Sequence, residues 1–386
     1  MFIILNIFLI LCSLIFWPFK VNDSFWVIKE SVFVLGCLSM LAYSFHVKCK
    51  GYTFKNSYAA LLLLYISVGF VWFFYAPFIK ANGKVMWNFW NFRPTINFIL
   101  GLFVVKILFE YTETLKNWID TGKVIAWLGG MFAVYSIFQY LGVDQIFGTN
   151  VKFLYENGFP SGDQRMVTLF GNSFITSGFL AICSPMCLIF KGWRYKIFYV
   201  LIFIALILMD KTMALAAFTS GLFLYLTMNR RFIKLAMLIA ICIGFGVYCF
   251  FYKPEFFAMT GRAEVWLLTW NKFLEAPYFG HGLGYFEMLR LKSNGSDVFF
   301  AHNEYLQNLI DLGIVGSSII FLFLIDIGRR AFLAEQNILL TGYICGLVAF
   351  LVLSLGSFPL RIAPLALIAI IYISGILYQC KGEING

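Results

Sequence analysis

The polar stretch at residues 253–307 interrupts an otherwise apolar chain and reads KPEFFAMTGRAEVWLLTWNKFLEAPYFGHGLGYFEMLRLKSNGSDVFFAHNEYLQ. Two of the protein's three histidines, His281 and His302, lie in it. Ionisable groups are expensive in an apolar setting, so a cluster of them there indicates function more often than packing. We therefore expect any chemistry of this protein to take place in this stretch.

The composition around that stretch indicates a polytopic membrane protein. Hydrophobic residues make up 61% of the chain and charged residues 12%, against about 45–50% and about 25% in soluble domains. One water-soluble core cannot bury so much apolar surface. The net charge of +10 arises from short basic clusters between apolar segments, which is typical of membrane topology, so we expect no nucleic-acid partner.

Apolar runs long enough to cross a bilayer predict an all-α transmembrane helix bundle. A spanning helix needs about 20 mostly apolar residues, and twelve segments approach that length. We interpret residues 1–386 as a single integral membrane domain. The predicted spans are 2–19, 27–45, 57–79, 95–111, 124–143, 171–190, 195–209, 212–228, 232–252, 304–326, 338–356 and 361–380.

The short links between these spans predict the orientation of the bundle. Four links on one side carry clusters of Lys and Arg, and by the positive-inside rule that side faces the cytoplasm. The longer loops, 80–94, 143–169 and 253–303, then face outward, which in a bacterium is the periplasm. We predict that 253–303 is a helical periplasmic catalytic loop. The basic residues are Lys48, Lys50, Lys55, Lys191, Arg194, Lys196, Arg230, Arg231, Lys234, Arg329 and Arg330.

Six basic side chains on the predicted outer side are candidates for function, because positive charge is normally depleted there. Each one alone has a simpler interpretation, since Lys and Arg commonly anchor helix ends by reaching toward lipid headgroups. Their shared side, and the motif-like segments beside four of them, favour a functional role. They are Arg165, Lys211, Arg262, His281, His302 and Arg361.

The motifs around these residues resemble the signature of the O-antigen ligase and polymerase superfamily, over roughly residues 160–360. They are Arg165 with Thr168-x-x-Gly171-Asn172, Arg262 to Trp266, Pro277-x-x-Gly280-x-Gly282-x-Gly284, His302-Asn303-x-Tyr305-Leu306 and Gly313-x-x-Gly316. The resemblance implies a GT-C-like glycosyltransferase of the bacterial inner membrane. It also implies an undecaprenyl-pyrophosphate-linked glycan donor, a periplasmic acceptor hydroxyl and no metal or other cofactor. By the same resemblance, His302, Arg262 and Arg165 match the family's functional histidine and two arginines.

The residue types suit that chemistry independently. Glycosyl transfer from a lipid pyrophosphate needs a base for the acceptor hydroxyl and positive charge for the leaving group. A histidine has an unperturbed pKa of ~6.5, close to working pH, so His302 is the candidate base. Arg262 and Arg165 suit phosphate oxygens, since guanidinium groups bind them in a bidentate manner. The alternative for His302 is a plain helix cap facing the headgroups.

Six further residues are predicted to contact substrate: Lys211, Arg361, Asn303, Glu304, Gly282 and Gly284. Lys211 departs from the family pattern, in which we expect an arginine; lysine keeps the charge but lacks the planar fork. The glycines have two open interpretations, contact with the glycan or pyrophosphate and a tight re-entrant turn. Glu304 either orients the basic groups or is a solvated first-turn carboxylate. His281 is interpreted chiefly as a loop residue.

Three functions remain open at this point. A ligase would pass the glycan to a lipid A-core sugar, whereas a polymerase would pass it to the next lipid-linked repeat unit. The motifs favour the ligase slightly. A transporter of lipid-linked oligosaccharide is the alternative from another class, and it would place charged residues near the middle of the membrane. Few charges lie within the predicted spans, which favours a reaction at the surface.

Overall fold

The computed structural model describes residues 2–14, 31–40, 80–81, 84–85, 114–143, 166–230, 262–282, 285–286, 291–293, 296–298 and 300–380. This part of the chain is helical apart from two short antiparallel hairpins. The helices are α1 (Phe2–Leu14), α2 (Ser31–Met40), α3 (Leu115–Tyr140), α4 (Ser173–Ile189), α5 (Trp193–Met209), α6 (Thr212–Met228), α7 (Arg262–Glu275), α8 (Glu304–Leu333), α9 (Ile338–Leu353) and α10 (Ala363–Gln379). The hairpins pair β1 (Lys80–Ala81) with β2 (Lys84–Val85), and β3 (Leu291–Ser293) with β4 (Ser296–Val298). Thr168–Phe170 and Pro359–Arg361 form 3-10 turns.

Nine of the twelve predicted spans coincide with helices in the part of the chain that the structure describes. The other three, 57–79, 95–111 and 232–252, lie outside the described residues. By length and composition, α3 and α8 are the two described helices that could cross a membrane. The helical bundle agrees with the predicted fold class, and the count of twelve spans stays a prediction.

Two helices extend beyond the predicted membrane spans, and each extension contains a charged pair. α3 begins at Leu115 rather than 124 and contains the Lys123–Asp120 ion pair (3.0 Å) in its first turns. α8 continues to Leu333 beyond the predicted limit at 326, and there Arg330 Nε binds Asp326 Oδ2 at 3.1 Å. Pairs spaced three or four residues apart support a helix. Charges that ended the apolar runs therefore extend these helices.

The 253–303 loop also differs in part from its prediction as a helical segment. Its described residues include α7, but β3 and β4 form a small hairpin before the loop ends. Asn294 and Gly295 separate the two strands in the sequence, and an Asn-Gly pair favours a two-residue hairpin turn. The loop is therefore mixed in secondary structure.

Packing among the described helices forms the main core. α9 packs against α4 and α6, and α3 packs against α4 and α5. Two buried tyrosines join these helices through backbone carbonyls: Tyr343 donates to Trp118 O at 2.8 Å, and Tyr372 donates to Ile182 O at 2.7 Å. A buried hydroxyl that lacks a partner is destabilising, so these bonds help to fix how the helices sit against one another.

The helices are arranged so that several of them begin at the same end of the bundle. Phe174, in the first turn of α4, packs against His302, just before α8 begins. Glu304 N, at the start of α8, donates to Ser354 O, at the end of α9. A β-carbon on Gly356 would meet Met213, in the first turn of α6. We call this the site end. Lys191, Arg194, Arg230, Arg329 and Arg330 lie at or beside the opposite ends of these helices.

Large apolar side chains remain exposed on the outer faces of α5 and α8. A soluble protein rarely exposes a contiguous apolar surface of this kind, whereas helices in contact with lipid do. This exposure is consistent with the predicted membrane environment. The residues include Val200, Phe203, Ile207, Phe321, Leu322 and Ile325.

Candidate functional site

Helix α8 is broken near its start, and the glycine-rich turn is docked into the break. Gly313 has non-helical dihedrals (φ 66°, ψ −171°) inside α8. The turn supplies hydrogen bonds at this point: His281 N donates to Ile310 O and Gly282 N to Asp311 O, both at 2.8 Å. In the reverse direction, Ile314 N donates to Pro277 O at 2.8 Å. Backbone groups released by the break are thus paired again with the turn, as buried backbone requires.

This docking gives the described glycines a role in a tight turn. A β-carbon on Gly280 (φ 69°) would lie 2.6 Å from Asp311 O, and one on Gly313 would lie 2.5 Å from Gly280 N. Only glycine allows the two backbones to come this close. The N–H of Gly282 binds Asp311 O, and contact of Gly282 with substrate stays a prediction. Gly284 lies outside the described residues.

Replacing Gly313 by alanine is expected to destabilise the docked turn. The position has a dihedral pair that is essentially restricted to glycine, which costs of order 1–3 kcal/mol for other residues, and the new methyl group would meet Tyr278 O. We expect a lower unfolding midpoint in detergent and faster proteolysis in the 277–284 turn. Gly328→Ala is the matched control in the same helix, because a β-carbon there meets nothing within 4 Å. Equal stability of both variants would contradict this role.

His302 lies in a half-buried aromatic setting at the site end. Its ring makes edge contacts with Phe358 (centroids 5.3 Å) and Phe174 (6.3 Å). Nδ1 is buried and has no hydrogen-bond partner among the described residues. Burial, together with the weaker effect of the positive charge on Arg262, lowers the pKa of His302 to about 4. The imidazole is therefore neutral at physiological pH.

Arg262 is close to the same ring of Phe174. Its guanidinium carbon lies 5.3 Å from the Phe174 centroid, and Nη1 donates to Gly356 O at 3.3 Å. A cation over an aromatic face is held by the ring quadrupole. Burial lowers the pKa of Arg262 from its ordinary value, but an arginine stays charged in proteins. The structure thus brings a neutral histidine and a positive arginine to one aromatic side chain.

Arg361 lies between two buried carboxylates, and the three form a network that we call the buried ion-pair network. Arg361 Nη2 binds Asp311 Oδ2 at 2.7 Å, and Nε lies 3.4 Å from Glu304 Oε1. The side chains of Arg361, Glu304 and Asp311 are 8%, 3% and 0% exposed, so the charges are shielded from water. Glu304 is therefore not a solvated first-turn carboxylate. The structure pairs Arg361 with carboxylates, which leaves it less suited to the predicted phosphate contact.

Asn303 and Lys211 both lie at helix starts at the site end. Asn303 Oδ1 accepts from Tyr305 N (3.0 Å) and Leu306 N (3.1 Å), so its side chain caps α8, and its contact with substrate stays a prediction. Lys211 is half-buried and directly precedes α6, after the left-handed turn at Asp210 (φ 51°). Because Met213 approaches Gly356, this start of α6 is near the carbonyl that binds Arg262.

Arg165 lies outside the described residues, so its predicted approach to Arg262 and His302 stays a prediction. The motif that follows it has a clear structural role. Asn172 Oδ1 accepts from Phe174 N at 2.8 Å and caps α4. Thr168, with φ 48°, bonds Gln139 through its N–H and Thr176 through its hydroxyl. These bonds hold the start of α4, and hence Phe174, at the site end.

His281 makes contacts close to it in the sequence, which agree with its interpretation as a loop residue. Its Nε2 donates to Lys272 O at 2.8 Å, and its ring stacks on Tyr285 at 4.1 Å between centroids. One contact is with α7, which contains Lys272, and the other is with Tyr285, which follows the glycine turn. The ring thus secures the glycine turn locally.

Sequence reasoning missed Asp311, Phe174 and Phe358. Asp311 had a usable signal, because it is a carboxylate in an apolar helix seven residues after Glu304, on the same helical face. No sequence signal distinguished Phe174 and Phe358 from the other phenylalanines, of which the chain contains 46 in total. Among the described residues, no three His, Cys, Asp or Glu side chains form a group that could hold a metal. The metal-free mechanism stays a prediction.

Part of the chain matches a known protein family. Residues 173–321 match a protein-family model described as O-antigen ligase. The matched region begins at α4 and includes α7, the glycine turn, His302 and the broken part of α8. A search of characterised proteins finds no significant match to this chain.

Proposed function

We propose, from the match of residues 173–321 to a family model described as O-antigen ligase, that this protein belongs to the O-antigen ligase superfamily and transfers a glycan from undecaprenyl pyrophosphate to an acceptor hydroxyl. The family match implies a glycosyltransferase-like enzyme of the O-antigen ligase or polymerase type. We propose the periplasmic face of the bacterial inner membrane as its location. The basic residues at the ends of the helices opposite the site support this orientation by the positive-inside rule.

The observation that carries the proposal is the neutral His302 beside the positive Arg262 at the site end. The N-terminal ends of helices carry a partial positive charge, which favours anions. The starts of α4, α6 and α8 lie at this end, together with Arg262 and Lys211. A pyrophosphate would therefore meet positive potential there, and a neutral imidazole beside it is ready to accept a proton.

The proposed step is a direct displacement at the anomeric carbon. The acceptor oxygen forms a bond to that carbon while its proton passes to His302. The bond from the anomeric carbon to the pyrophosphate oxygen breaks, and the electron pair leaves with the pyrophosphate. Arg262 stabilises the charge that develops on the leaving group, as arginine clamps do in phosphate chemistry, and we propose Arg165 as the second such group. This route inverts the anomeric centre, and retention in the product, seen by NMR, would exclude it.

Bound pyrophosphate is expected to make His302 a stronger base. In the free protein, burial and Arg262 disfavour the imidazolium. A bound anion offsets the charge of Arg262 and favours the protonated histidine, because an opposite charge nearby stabilises the ionised form. The base would thus be most active when the donor is present.

The pH dependence of transfer tests this coupling. Protonation removes the basic form, so activity should fall as the pH drops through the pKa of His302. The acid limb of kcat/KM, which reports the free enzyme, is expected near pH 4. The acid limb of kcat is expected at higher pH, because the donor complex holds the proton more tightly. Identical limbs at ~6.5, the ordinary pKa of histidine, would contradict the buried setting of His302.

The function itself is tested with the purified wild-type protein in proteoliposomes. An undecaprenyl-pyrophosphate-linked glycan is supplied with lipid A-core in one reaction and with lipid-linked repeat units in another. Transfer to lipid A-core identifies the ligase that we propose, and elongation of repeat units identifies a polymerase. Movement of the donor between leaflets without any transfer would overturn the proposal in favour of a transporter.

A further inference from the structure

Resting on the proposed function, we infer that the buried ion-pair network of Arg361, Glu304 and Asp311 positions His302 relative to Arg262 for the transfer step. The network does not contact the reacting groups itself. It acts through the backbone segments on either side of the site.

His302 has a strained backbone. Its φ is 51°, a left-handed conformation that is uncommon for residues other than glycine. Such conformations cost of order 1–3 kcal/mol and persist where surrounding contacts impose them. Before His302, Ala301 O accepts from Trp266 Nε1 at 2.9 Å and Ala301 N donates to Gln307 at 3.1 Å. The backbone on the C-terminal side of His302 must be held as firmly.

Glu304 holds the backbone on the C-terminal side of His302. Two residues after His302, its N–H donates to Ser354 O at 2.9 Å, and its Oε2 accepts from Leu360 N at 3.3 Å. Its Oε1 lies 3.4 Å from Arg361 Nε. The start of α8 is therefore attached, by backbone and side chain, to both ends of the segment 354–361.

The segment 354–361 also forms the other half of the site. Gly356 O accepts from Arg262, and the Phe358 ring packs against His302 at 5.3 Å. The segment ends at Arg361, whose guanidinium is fixed by Glu304 and Asp311. A displacement of Arg361 would shift both the acceptor of Arg262 and the aromatic wall of His302.

The charges of the buried ion-pair network indicate that its role is to position the site rather than to stabilise the fold. A buried ion-pair network is often no more stabilising than apolar side chains of the same volume, because desolvation offsets the attraction. Charges with defined hydrogen-bond directions do, however, specify one arrangement. Asp311 extends that arrangement to the glycine turn through its backbone oxygen, which accepts from Gly282 N. The network thus joins α8, the glycine turn and the 354–361 segment at one point.

Glu304→Gln tests the inference, because it keeps the shape of the side chain and removes its charge. A misplacement of about 1 Å can lower a rate by about 10²-fold. We expect kcat for glycan transfer to fall by about that factor, with the KM for the lipid-linked donor close to wild type. Asp311→Asn is the second variant and should give the same pattern. Asp326→Asn removes a carboxylate that pairs with Arg330 at the other end of α8, and its kcat should equal that of the wild type.

A readout that does not depend on activity separates positioning from a general loss of structure. The chain has three histidines, so NMR of histidine-labelled protein gives three signals, and the His302→Ala variant assigns that of His302. In folded Glu304→Gln protein, the pKa of His302 should rise toward ~6.5, the ordinary histidine value, while the pKa values of the other two stay unchanged.

The two proposals fail in different ways. Wild-type protein that transfers no glycan would overturn the proposed function, whereas the NMR titration would still test the network. Active wild type together with folded Glu304→Gln and Asp311→Asn proteins of unchanged kcat and unchanged His302 pKa would overturn the positioning role. If one variant does not fold, as judged by size-exclusion chromatography in detergent, the other decides.

Discussion

Replacing His302 by alanine is expected to lower kcat for glycan transfer by about 10²–10⁴-fold, the usual contribution of a positioned general base. The loss should fall on kcat and leave the KM for the donor close to wild type, because the proposed role of His302 is to accept the proton of the acceptor. Arg262 and the helix starts that favour the anion are unchanged in this variant. Transfer in proteoliposomes, measured with saturating and limiting donor, separates the two constants.

The control for this variant is the second histidine of the same loop. His281→Gln keeps a side-chain donor for Lys272 O, the partner of the native ring, and His281 packs on Tyr285 rather than on Phe174. Its kcat should stay close to wild type. Full activity of the His302→Ala protein, or an equal loss in both variants, would exclude His302 as the base.

Replacing Arg361 by leucine is expected to lower the free energy of unfolding by about 3–5 kcal/mol, the range measured when one partner of a buried ion pair is removed. The leucine would leave Glu304 and Asp311 buried with their counter-charge gone, and these side chains are 3% and 0% exposed. Unfolding by titration with a denaturing detergent, followed by circular dichroism, measures the change.

Two further variants test whether the unpaired buried carboxylates cause the lower free energy of unfolding. Arg330→Leu removes an arginine that pairs with Asp326 at a more exposed site, with side chains 20% and 27% exposed, so a loss of about 0–1 kcal/mol is expected. The triple variant Arg361→Leu, Glu304→Met, Asp311→Leu replaces all three charged groups by apolar side chains and should recover most of the stability. If Arg361→Leu is no less stable than Arg330→Leu, the buried carboxylates are not the cause.

The apolar runs of the sequence were a good guide to the helices. Nine predicted segments overlap helices in the described part of the chain, because burying apolar side chains at helical spacing is a local property of the sequence. Two helices continue beyond the predicted apolar spans. Asp120 with Lys123, and Asp326 with Arg330, lie in these extensions, where pairing along the helix surface allows the helix to continue.

The hydrogen-bond partners in the structure show that several candidate residues hold the backbone of the site together. Asn303 caps α8, Gly282 binds the broken helix through its N–H, and Arg361 pairs with Glu304. A sequence motif reports which residues lie together, but it does not distinguish a group that holds the site from a group that acts in it. That distinction depends on hydrogen bonds made by residues elsewhere in the chain.

By itself, the sequence determined the helical class, the positions of most helices and the residue types of the candidate site, because these depend on local apolar spacing and side-chain chemistry. The tertiary structure alone decided which of those groups remain available. Arg262 reaches a carbonyl 94 residues away, and Arg361 meets a carboxylate 50 residues away. Burial and pairing of charges depend on such distant neighbours. His302 is therefore neutral beside Arg262, while the charge of Arg361 is offset by carboxylates that no local pattern assigned to it.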